Sequence, residues 1–86
     1  MHEFKLIHNL MRKIDEVVQE QQATRATSVK VKLGEQSHIT PGHFREHFID
    51  AAEGTVAEGA ELQIETISDW SDPLVHEIVL ESLEVE

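Results

Sequence analysis

Residues 28–34 read Ser-Val-Lys-Val-Lys-Leu-Gly. Val29, Val31 and Leu33 alternate with Ser28, Lys30 and Lys32, a period of two that predicts a half-buried strand with one apolar and one wet face. A single strand of this kind needs neighbours in a sheet and a layer to cover its apolar side, and the flanking segments supply both. Upstream, from about residue 3 to 22, Leu6, Ile7, Leu10, Met11, Ile14, Val17 and Val18 recur at three- and four-residue steps, the pattern of a helix with one buried stripe. Downstream, GEQSHITPGHF places Thr40 before Pro41. Threonine accepts a hydrogen bond from a free helix-start amide, and proline at the first helical position has no amide to leave unpaired. A second helix therefore begins there, with Phe44, Phe48, Ile49, Ala51 and Ala52 predicted toward the core and an end near Gly54, suited to a left-handed C-terminal residue.

After a turn at Glu58 and Gly59, AELQIETI sets Leu62 and Ile64 on one face and Glu61, Gln63 and Glu65 on the other, a second strand. Lys30 and Lys32 are expected to face Glu61 or Glu65 across the sheet. SDWSDP reads as a turn-rich connector. VHEIVLESLEVE then reads as a third strand whose parity slips: Ile78 and Leu80 share one phase, Leu83 and Val85 the other, and a bulge near Glu81 and Ser82 returns both pairs to the core. The expected architecture is a single α+β domain over residues 1–86, in the order α-β-α-β-β, with two helices packed on a three-stranded sheet and no internal repeat.

The 86 residues, 40% hydrophobic, suffice for one modest core. There is no cysteine, which removes disulfides, thiolate zinc sites, iron–sulfur clusters and cysteine nucleophiles and fits a reducing cytoplasm. Lys5, His8, Arg12 and Lys13 interrupt any apolar leader, and no stretch approaches membrane-spanning length; a cytoplasmic location is expected. The net charge of −10 is uneven. Residues 1–34 carry six Lys/Arg against four Asp/Glu, whereas residues 35–86 carry one Arg against thirteen Asp/Glu. That surface repels nucleic-acid phosphates and anionic membranes and favours cations and basic protein patches.

The first three residues, Met1, His2 and Glu3, carry the most distinctive chemistry. A free Met1 amine, the His2 backbone nitrogen and the His2 imidazole close one five-membered and one six-membered chelate ring, with the Glu3 amide nitrogen or carboxylate as a fourth donor. A mostly nitrogen, planar set suits Ni(II) or Cu(II). The bulk of His2 is expected to preserve the starting methionine. The first amides of a helix have no intrahelical partner, so they can lose protons to a metal without breaking the ladder.

MHE followed by a helix, then SVKVKLGEQS, TPGHFREHF, GTVAEGAELQIE and LESLEVE, resembles the HypA/HybF family of nickel chaperones for hydrogenase maturation, across residues 1–67 and 76–86. The terminal Met1, His2 and Glu3, with the combination of LGEQS and AEGAELQIE, are its most specific pieces. The resemblance implies Ni(II) bound at Met1 (terminal amine), His2 and Glu3 and delivered for assembly of [NiFe] hydrogenase, sometimes urease. The implied partners are a nucleotide-hydrolysing maturation GTPase and the hydrogenase large-subunit precursor. The family carries a zinc domain built on two CxxC pairs between its second and third strands. Here SDWSDPLVH, the connector 68–76, stands in that place, so zinc is not expected, and docking to the hydrogenase precursor loses whatever surface that module contributes. The chain is either a naturally reduced homologue or one from which the module was deleted.

Other residues offer weaker sites. His43, His47 and Asp50 lie at i, i+4 and i+7 on the second helix and form a candidate 2-His-1-carboxylate metal set. The competing reading is half-buried histidines flanking Phe44 and Phe48. His8, His38 and His76 read as structural or solvated. Trp70 either caps the core edge or stands exposed for a partner. No glycine-rich phosphate loop and no nucleophile–base spacing is present, so no enzyme is expected. The alternative to a nickel carrier is a metal-independent acidic adaptor docking to a basic partner through the first helix or an open sheet edge, as a monomer or weak dimer.

Overall fold

The computed structural model describes the backbone of residues 2–86 and the side chains from Lys5 onward. Five principal elements follow in the expected order: α1 (His2–Glu20), β1 (Ala26–Gly34), α2 (Pro41–Ala52), β2 (Glu61–Ile67) and β3 (Ile78–Val85), with a short 3-10 helix at Pro73–His76 between the last two. The sheet order is β2-β1-β3. β1, which carries the Val29–Val31–Leu33 alternation, is thus the central strand, parallel to β2 and antiparallel to β3.

Its alternation organises the core. Val29 and Val31 pair with Leu62 and Ile64 on one side and with Leu83 and Leu80 on the other, so the apolar residues of all three strands share a face. Onto that face α1 packs Ile7, Leu10, Ile14 and Val18, and α2 packs Phe44, Phe48 and Ala52, in one continuous cluster. The opposite face carries Lys30 and Lys32.

The parity slip in β3 is absorbed where the sequence placed it. Lys30 pairs with Ser82 but Val31 pairs with Leu80, which leaves Glu81 as the extra residue. A second irregularity lies in β1, where Ala26 pairs with Val85 and Ser28 with Glu84; Thr27 is unmatched, and both Ala26 and Val29 are thereby buried.

Three expectations are corrected, for Ile49, for the lysine pairing and, below, for Val75. Ile49 is 60% exposed rather than core-facing. At ~100° per residue it lies far around the helix from the Phe44–Phe48–Ala52 stripe, so burying the stripe turns it outward. Lys30 and Lys32 do not pair with Glu61 or Glu65. Their ammonium groups lie 3.4 and 3.5 Å from the Glu81 carboxylate, which the bulge presents to both. Desolvation pushes the Glu81 carboxyl up, but the two lysines outweigh it and hold it below the ordinary carboxylate value.

The order β2-β1-β3 forces the connector to cross the end of β1. Val75, at the crossing, is buried as part of the 3-10 helix rather than of the last strand. Gly34 donates to the Glu77 carbonyl at 2.8 Å and Gln36 to the Val75 carbonyl at 2.8 Å. A Cβ on Gly34 would overlap the Val75 carbonyl, so only glycine lets the two backbones approach this closely. Asp69 accepts hydrogen bonds from the Ser71 hydroxyl and amide, which hold its carboxyl below the usual range. Trp70, beside it, is 68% exposed and does not cap the core.

Candidate metal centre

The second helix start is fully formed. Thr40 has extended backbone, its hydroxyl accepts the His43 amide, and Pro41 opens the helix, as the Thr-Pro pair predicts. The first helix start differs. α1 begins at His2, so the amides of His2 and Glu3 belong to the first turn, whose N–H groups have no intrahelical partner. Met1, and the side chains of His2 and Glu3, lie outside the described residues.

On α2, His43 is exposed and His47 half-buried, with ring centroids 6.5 Å apart in an edge-on arrangement. Asp50 is two helical turns from His43, ~10 Å along the axis. Among the described residues no group of three His, Asp or Glu side chains is placed to hold a metal ion, so His43, His47 and Asp50 are not assembled as a three-donor set. They line a shared stripe, not a shared point. His38 is exposed and adopts a left-handed backbone (φ 67°) between buried Ser37 and Ile39, an uncommon conformation for a residue with a Cβ. His76 is exposed at the end of the 3-10 helix.

One feature was not read from the sequence. An open groove of about 1100 Å³ runs between α1 and α2, with Ile7, Met11, Ala51 and Val56 along it and His8, His47 and Asp50 among its polar residues. The signal was available only in part. Each helix shows an apolar stripe, but which flanks face each other depends on the direction in which the two helices pack, and spacing within one helix carries no such information.

No described helix is long and apolar enough to cross a membrane. The chain matches, over residues 1–70, the family described as "Hydrogenase/urease nickel incorporation, metallochaperone, hypA". It is 39% identical over 64 residues to the hydrogenase maturation factor HypA of Archaeoglobus fulgidus, a span of 74% of this chain and 58% of that protein. Against HypA 1 of Bradyrhizobium diazoefficiens the identity is 41% over 64 residues, 74% and 57% of the two chains. The matched region thus spans under three-fifths of those relatives. Among solved structures, the Ni metallochaperone HypA from Helicobacter pylori superposes with a TM-score of 0.81 at 23% identity, covering 99% of this chain and 97% of that one. A second HypA solution structure gives 0.76 at 23% identity, covering 100% and 97%. These likenesses establish the fold, and with the family match over most of its length the chain belongs to the HypA family of hydrogenase and urease nickel-incorporation proteins.

Proposed function

We propose that this chain is a nickel metallochaperone that takes Ni(II) at Met1, His2 and Glu3 and delivers it during maturation of [NiFe] hydrogenase or of urease. The observation that carries the reading is the start of α1 at His2, inside a family match that includes residues 1–3. The amine of Met1, the ionised amide of His2 and its imidazole form a tridentate nitrogen set, and Glu3 contributes a donor or a contact to the receiving protein. The ladder loses nothing when first-turn amides ionise. A bare dication would oppose the positive end of the helix dipole; ionised amide and the Glu3 carboxylate offset it. Because imidazole must be neutral to bind, nickel leaves as pH falls below the ~6.5 reference value of histidine.

Delivery needs ligand exchange with the receiving protein. The receiving partners are a maturation GTPase and the hydrogenase large-subunit precursor, in the cytoplasm. The acidic 35–86 segment favours a basic surface on such a partner. With no cysteine in the chain, structural zinc has no thiolate ligands here.

Calorimetric nickel titration of untagged protein beside the His2→Ala variant tests the reading. One Ni(II) per chain is expected for the native sequence, with affinity reduced by more than about a hundredfold in the variant, since a direct ligand matters more than the outer-shell groups worth 10–100-fold. Unchanged stoichiometric binding by the variant would overturn it.

A further inference from the structure

We propose that the outer face of α2, centred on Ile49, is a docking surface for a basic amphipathic helix of a partner protein. The surface is independent of the nickel site and extends the functional reading only by placing the basic partner. Ile49 is 60% exposed. A lone exposed aliphatic residue is ordinary, but this one forms a wall of a hollow of about 430 Å³. Phe48, Ala52 and Ala57, all buried, lie along it, and Ala60 is half-buried at its edge. The small residues leave room for a large aliphatic side chain from outside, set against Ile49.

The hollow is preformed. Short-range bonds knit the segment that follows α2: the Thr55 hydroxyl donates to the Ala52 carbonyl at 2.7 Å and accepts from the Ala57 amide at 3.1 Å. The Glu58 and Ala60 amides donate to the Thr55 and Ala57 carbonyls, each at 3.1 Å, and the Val56 carbonyl ties the segment to the Ala26 amide at 2.8 Å. Binding therefore costs little ordering on this side of the interface.

Charge selects the partner. Glu46 and Glu53 come three residues before and four after Ile49, on its side of α2, and Glu58 joins Glu53 at the hollow. Arg45 is the cation on that side, and its guanidinium donates to the Leu62 carbonyl of β2 at 3.3 Å. The last turn of α2 holds no basic residue, so the negative end of the helix dipole adds to the carboxylates. The larger groove between α1 and α2 carries both signs, Arg12 with Asp15 and Asp50, and selects no partner of one charge. A second copy of this chain is disfavoured, because each carries a net charge of −10. Spacing suits a helix. Glu46 and Glu53 stand ~10 Å apart along α2, and a partner helix packed beside it with a leucine over the hollow presents lysines or arginines at i−4 and i+3 over the same span.

The probe is a fluorescein-labelled amphipathic peptide of leucine and lysine, of about 18 residues so that it holds a helix. It is titrated with metal-free protein in chelator and followed by anisotropy. Saturable one-to-one binding is expected, and none by a leucine–glutamate peptide. Ile49→Gln is expected to weaken binding about tenfold, the effect of an interface anchor, and Glu46→Gln combined with Glu53→Gln by a similar factor. Glu65→Gln combined with Glu84→Gln removes the same charge from the sheet face that carries Lys32 and Ser28, and is expected to change affinity less than about twofold. Because Ile49 is exposed, native circular dichroism is expected for its variant, and Ile49→Ala serves if glutamine perturbs the helix. No binding by the native protein, no effect of either Ile49 variant, or equal weakening by the two charge pairs overturns the proposal. Dimerisation of the native protein that Ile49→Gln abolishes also overturns it, by giving the face to a second copy. His2→Ala is expected to leave peptide affinity unchanged, so failure here leaves the nickel reading standing, and failure of that reading leaves this surface standing.

Discussion

The two helix starts differ in the residue that precedes each: threonine before α2 and methionine before α1. At α2 the orphan groups are provided for: Pro41 has no amide, Thr40 accepts from the His43 amide, and the Thr40 carbonyl receives Phe44 at 2.8 Å. At α1 the residue before the helix is Met1, whose thioether is a weak acceptor that does not substitute for a capping hydroxyl. A capped start contributes stability and has little left to offer a ligand. A start preceded by a residue with no capping side chain forgoes that contribution, and its first-turn amides can serve a cation acidic enough to ionise them.

Removing what seats the capped helix gives the largest effect expected. Phe44 is fully buried at the centre of the cluster, and Phe44→Ala is expected to cost about 3–5 kcal/mol in chemical denaturation, the range for deleting a core phenyl ring. An effect below about 1 kcal/mol would mean that α2 is held mainly by its cap. Thr40→Ala isolates that cap: about 1 kcal/mol is expected, with nickel affinity unchanged because α1 provides the terminal donors. A drop in nickel affinity comparable to that of His2→Ala would show that the two starts are not chemically separate.

The smallest effect is expected on the far face of the sheet. Glu81 has a lowered folded-state pKa, so its contribution to stability is present above the unfolded carboxylate value and is lost as pH falls through the lowered one. Glu81→Gln is expected to leave the melting temperature at neutral pH almost unchanged and to flatten its decline in acid, measured by thermal scans between about pH 7 and 2. Both helix starts should be indifferent to it. An equal acid slope in the variant would show that Lys30 and Lys32 do not act on this carboxylate.

Much of the fold was legible because it is written in local periods and punctuation. Thr40-Pro41 located the start of α2, and the parity slip between Leu80 and Leu83 located the bulge at Glu81. What escaped depends on relations between segments. The partner of Lys30 and Lys32 is Glu81 because the extra residue in β3 presents its carboxylate to both, and no strand pattern in β2 carries that fact. Ile49 was misplaced because five apolar residues in α2 were more than its narrow buried stripe accommodates. The exception in β1, unmatched Thr27, was missed because the alternation that defines the strand begins only at Ser28.

The site divides in the same way. The terminal triplet is a proposal from the donors that Met1, His2 and Glu3 offer in the sequence, whereas the groove between α1 and α2 depends on how the two helices pack, which spacing within one helix does not carry. The three-residue set on α2 failed for the converse reason. Spacing at i, i+4 and i+7 puts His43, His47 and Asp50 on one stripe, but the stripe is longer than a coordination sphere.

The proposed nickel site needs the Met1 amine together with the first amides of α1. The most direct measurement is a nickel titration of the native sequence against the same chain carrying Gly-Ser ahead of Met1, which leaves every side chain in place and converts the Met1 amine into an amide. One tightly bound Ni(II) is expected for the first and at least a hundredfold weaker binding for the second, with circular dichroism unchanged. Equal affinity and stoichiometry in the two would contradict it.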